Sequence, residues 1–205
     1  MRIKRGRTRW LLLLGGGLVL ALLAVVAVLA YGQLAGGQAQ ASPQEPPDLQ
    51  PAATSAFRTA SREVQDWQGD AQLVGLVGHV HDVGKQVRGV DWAFQFYSPS
   101  TRRLALLVAT DGEARMVRDV LSPYSVPTIP QGRWRIDSGE AMRIWWESGG
   151  RYLLARRPDS ALALRLDGPL DGEEDPVWTV IGSIPDEGSD YIVKFSGFDG
   201  RLFEE

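Results

Sequence analysis

Residues Trp10 to Ala30 carry no charged side chain, and Arg2, Lys4, Arg5, Arg7 and Arg9 stand directly before them. An α-helix rises about 1.5 Å per residue, so roughly 20 apolar residues cross a hydrocarbon core about 30 Å thick. The basic cluster fixes the N-terminus on the cytoplasmic side and sends the rest of the chain outward. Trp10 and Tyr31 bracket the run, where aromatic rings sit at the two headgroup layers. The expected organisation is a cytoplasmic tail over 1–9 and a transmembrane helix over 10–31, with everything else extracytoplasmic. Ala39-Gln40-Ala41 offers an alternative, secretion after cleavage following Ala41. The apolar run is longer than a signal-peptide core of roughly 7–15 residues and ends well before that site, which favours the uncleaved anchor. Inside the span, Gly17 and Ala21 form one small-xxx-small pair through which two helices can approach.

Charge is divided along the chain. All 25 acidic residues follow position 44, whereas 5 of the 22 basic ones precede position 10. The outer part therefore carries 17 − 25 = −8 against −3 for the whole chain. A nucleic-acid partner needs a basic surface, so that class is excluded. The chain has no Cys, which removes disulfides, thiol nucleophiles and thiolate-bound metals. Residues 32–53 are rich in Pro, Gln and Ala, with Pro43, Pro46, Pro47 and Pro51, and read as a solvated linker.

Beyond the linker, apolar spacing predicts a helix capped by Thr54 or Ser55, striped by Phe57, Ala60, Val64 and Trp67 and closed by Gly69. Trp92, Phe94 and Phe96 alternate as in a strand. Leu104 to Thr110 predicts another, turned by Asp111-Gly112 into Ala114 to Val117. Pro123, Pro127 and Pro130 mark a connection. A second helix follows, capped by Asp137 or Ser138, carrying Ala141, Ile144 and Trp145, and ended by Gly149-Gly150. Strands fit Leu162–Leu166, Trp178–Val180 and Tyr191–Phe195, and Asp199-Gly200 turns into Arg201–Phe203. The expected fold class is α+β: two repeats, 54–130 and 131–205, each one helix packed on a small antiparallel sheet. Trp145 and Trp146 lie about 100° apart on their helix, so one is expected at the interface between repeats or exposed as an anchor.

The second half resembles PepSY-type domains, small extracytoplasmic modules with a helix on an antiparallel sheet. Asp137-Ser138-Gly139-Glu140-Ala141, Pro176-Val177-Trp178-Thr179-Val180 and Tyr191-Ile192-Val193-Lys194-Phe195 with Phe198-Asp199-Gly200-Arg201-Leu202 carry the likeness. The first half is similar in Trp67, Asp70-Ala71 and Trp92-Ala93-Phe94. The closing turn has Phe198-Asp199 where many members have an Asp-Ala pair. The resemblance implies a non-catalytic module that binds or regulates an envelope protein such as a peptidase, with no catalytic, cofactor or metal residue.

Two clusters offer chemistry. His79 and His81, the only histidines, share a face if Gly78–Asp82 is a strand, and two imidazoles at that spacing can hold Zn²⁺. A small metal-dependent hydrolase is therefore an alternative function. It needs a third ligand that nothing in the sequence selects, and Asp82 would point to the opposite face. The carboxylates of Asp167 to Asp175 would suit Ca²⁺, but their spacing is not that of an EF-hand loop. A carboxylate pair for glycoside hydrolysis would also need a sugar cleft, for which two thin sheets leave little room. The nucleophile elbow, phosphate loop, dinucleotide fingerprint and HExxH motif are all missing. A purely structural envelope component is the remaining reading.

Overall fold

Two rows of side chains cross seven strands from edge to edge. One runs Met116, Leu107, Phe94, Leu76, Leu166, Trp178, Phe195, and the next Ala114, Ala109, Trp92, Gly78, Leu164, Val180, Val193. Nearly all of these side chains are buried. A single apolar face this wide has to be covered, and two helices cover it. The computed structural model describes residues 45–81, 85–130, 132–169, 174–184 and 189–203. The expected span Trp10–Tyr31 and the site after Ala41 lie outside them. Among the described residues no helix is long and apolar enough to cross a membrane.

The described residues open with β1 (Asp48–Gln50), inside the segment read as linker, then α1 (Ala53–Trp67). A meander follows: β2 (Gln72–Val80), β3 (Val87–Ser98), β4 (Arg103–Thr110) and β5 (Glu113–Leu121). After the proline-rich connection come α2 (Ser138–Trp145), a π-type turn (Trp146–Gly150) and α3 (Arg151–Arg156). Strands β6 (Ala161–Asp167), β7 (Val177–Ile184) and β8 (Ser189–Ser196) close the fold. The sheet order is β5-β4-β3-β2-β6-β7-β8, antiparallel throughout, with β1 pairing in parallel to the start of β3. Helix α1 lies over β3, β4 and β5, while α2 lies over β7 and touches β1.

This corrects the expectation of two repeats, each with its own small sheet. Strand β6 pairs with β2 over six residues, Gly75↔Asp167 to Val80↔Leu162, and fuses the two meanders into one eight-stranded sheet. The physical reason lies in the glycines of β2. A Cβ at Gly75 would stand 2.8 Å from the Leu166 carbonyl oxygen, and one at Gly78 would stand 2.4 Å from the Trp92 ring. Glycine at these positions lets β6 and the indole approach a central strand whose sequence shows little alternation.

The helices also depart from expectation at their ends. Helix α1 starts at Ala53, and its free N–H groups find acceptors across the chain. Ala53 donates to Ser138 Oγ at 2.9 Å and Thr54 donates to Asp137 Oδ1 at 3.1 Å. Asp137 is simultaneously the N-cap of α2, accepting from the Ser138 N–H at 2.7 Å. Gly149-Gly150 does not end the second helix. Gly149 takes φ +133°, kinking the backbone, and helical residues resume through Arg156. Trp145 and Trp146 are both buried, so neither is an exposed anchor.

Candidate functional site

Strand β2 places His79, and His81 just past its end, on the face opposite the helices. The register sets Asp91 of β3 directly across from His79, and Asp91 Oδ1 lies 3.9 Å from His81 Nε2. Gly89 makes this possible: a Cβ there would overlap the His81 ring at 1.9 Å. The register thus brings a carboxylate, Asp91, beside the histidines, twelve residues after His79. Only the pairing register brings it there, so no spacing rule could have found it. Asp82 lies outside the described residues. His79 Nδ1 is buried without a hydrogen-bond partner among the described residues.

Burial pushes the His79 imidazole below its ordinary pKa of about 6.5, opposed by the charge of Asp91. A depressed folded-state pKa means the unfolded chain binds the proton more readily. The stability from neutral His79 is complete above about pH 6.5 and is lost as pH falls toward the lower folded value. Thermal unfolding of the full chain is expected at lower temperature at pH 5 than at pH 7.5, with the difference reduced in His79→Gln. Equal pH dependence in both chains would remove His79 as its source. As the side chains stand, no three His, Cys, Asp or Glu among the described residues are grouped to hold a metal ion.

The acidic segment is engaged by arginines. Asp167 pairs with Arg165 at 2.6 Å, and Glu174 and Asp175 take Arg133 at 2.5 and 3.1 Å. Residues 170–173 lie outside the described residues. The carboxylates that are described are charge-paired rather than turned toward a cation.

A groove at the kink was not legible from sequence motifs. It has a volume of about 660 Å³ and lies between the π-type turn, α3, β7 and the edge strand β8. Tyr191 builds one wall: its hydroxyl donates to the Ser148 carbonyl, and its ring meets Trp145 edge-on at 6.0 Å. Gly149 is required beside it, since a Cβ would fall 2.5 Å from that hydroxyl. Tyr152 is 62% exposed, with the Arg151 guanidinium 4.6 Å from its ring centre. Leu153 and Ile184 form the floor, and Arg156 and Arg157 the rim.

No family model, curated protein or solved structure matches this chain.

Another buried polar group is Arg88, 1% exposed, whose Nε donates to the Lys85 carbonyl at 3.2 Å while Nη1 has no partner among the described residues. Burial lowers its pKa without neutralising it. A guanidinium so enclosed offers no route to a ligand. The groove at the kink, among the described residues, brings two tyrosines, two aliphatic side chains and two arginines to one concavity, a composition suited to binding.

Proposed function

We propose that the chain is a single-pass, membrane-anchored, extracytoplasmic module that binds or regulates an envelope protein such as a peptidase, without catalysing a reaction. The groove between the π-type turn, α3, β7 and β8 is the observation that carries the reading. Tyrosine and arginine are the residues most enriched where binding energy concentrates. The basic cluster and apolar run at the N-terminus support the anchor and its orientation. The PepSY-like residues of the second half support a regulatory rather than catalytic role, carried now by one continuous sheet.

The absence of cysteine gives a clean test of orientation. Asp66→Cys on exposed α1 is expected to react with a membrane-impermeant maleimide applied to intact cells. Labelling only after lysis would overturn the outward placement. Binding is tested by a photo-crosslinking amino acid at position 152 in the full chain. One dominant envelope protein is expected from position 152 and not from position 62 on α1. Identical patterns from both positions, or none, would refute a groove-borne partner.

A further inference from the structure

The groove's own chemistry narrows what occupies it. This inference rests on the proposed binding role and names the partner's recognition element. Arg156 is exposed at the end of α3, on the groove rim, and has no hydrogen bond or ion pair to a described residue. Arg157 follows it, with Nε 3.4 Å from Asp159 Oδ1. Arg143 on α2 is engaged differently, bound to both Glu140 and Glu147. The Arg156 guanidinium is thus open to a carboxylate brought by a partner. Below the rim the surface turns apolar: Leu153, Ile184 and the ring of Tyr191, whose hydroxyl is already committed to Ser148. The ring of Tyr152 stands exposed beside them.

We infer that this groove binds a peptide segment of a partner protein in which an acidic side chain neighbours an aromatic or aliphatic one. The acid pairs with Arg156, in the bidentate geometry a guanidinium offers a carboxylate. The apolar side chain enters between Tyr152, Leu153 and Ile184. An anionic membrane surface is the competing occupant, and one observation disfavours it. Lipid-reading patches gather four to eight basic residues, whereas Arg156 and Arg157 are the two that line this groove.

The test is a selection from a phage-displayed random dodecapeptide library on the full chain in zwitterionic nanodiscs. Sequences pairing Asp or Glu with Leu, Phe, Tyr or Trp are expected to enrich. The selected peptides should bind about tenfold more weakly to Arg156→Ala, and more weakly still to Arg156→Glu. Tyr152→Ala, at an exposed position, should weaken them without altering the unfolding temperature. Enrichment of peptides lacking acids, no enrichment, or binding indifferent to both substitutions overturns the inference. Peptide binding abolished in anionic nanodiscs at equal ionic strength would assign the groove to lipid instead. Failure here, with a single protein still crosslinked from position 152, would leave the binding role standing and remove only the acidic-peptide chemistry.

Discussion

Trp145→Ala is expected to destabilise the chain by about 3–5 kcal/mol, the upper range for truncating a large core side chain. Trp145 is fully buried. Its ring lies against two glycines: a Cβ at Gly150 would stand 2.2 Å from it and one at Gly182 would stand 2.7 Å from it. Neither glycine has a side chain that can move into the space left by the indole, so the cavity persists. The ring also meets Tyr191 edge-on, so the groove wall should loosen with it. Urea unfolding of the full chain followed by near-ultraviolet circular dichroism measures the loss. The unfolding temperature should fall by roughly 10 °C for a unit of this size. A loss under about 1.5 kcal/mol would mean that neighbours collapse into the site, against the packing described here.

Asp137→Ala is expected to cost about 2–4 kcal/mol, more than an ordinary cap, because one carboxylate serves two helix starts. An N-cap is worth about 1 kcal/mol and up to about 2. Asp137 accepts from the Thr54 N–H at 3.1 Å, the Thr54 hydroxyl at 2.5 Å and the Ser138 N–H at 2.7 Å. Both helix N-termini present partial positive charge to it. Asp137→Asn keeps one acceptor oxygen and should recover about half of the loss. If Asp137→Ala behaves like a single cap, near 1 kcal/mol, the link to α1 contributes nothing measurable. A double-mutant cycle with Thr54→Val separates the hydroxyl contact from the backbone ones.

Local periodicity made the individual elements legible. The stripe Phe57, Ala60, Val64, Trp67 lies within α1, and the Trp92, Phe94, Phe96 alternation lies within β3. Asp111 and Gly112 take φ values of +54° and +82°, as a tight two-residue hairpin turn demands. The assembly was less legible. Strand β2 carries glycines where alternation would place side chains, and its second partner lies more than eighty residues away. The candidate groove was hidden for a related reason. Gly149-Gly150 reads as a helix end, yet the Tyr191 hydroxyl and the Ser148 carbonyl hold a kink there from which α3 continues. Asp91 likewise became a neighbour of the histidines only through register.

The seam between β2 and β6 also sets a clock. During synthesis β2 can pair with β3 almost at once, but its other edge waits for Ala161–Asp167. At about 5–20 residues per second, the intervening stretch of roughly 80 residues takes on the order of 4–16 s to appear. For that interval the nascent first half exposes an unsatisfied, glycine-containing edge in what becomes the middle of the sheet, the kind of surface that recruits stray strands. Stalling the ribosome before Ala161 should therefore yield a chaperone-dependent intermediate, and release past Asp167 should end that dependence within the time one strand needs to dock.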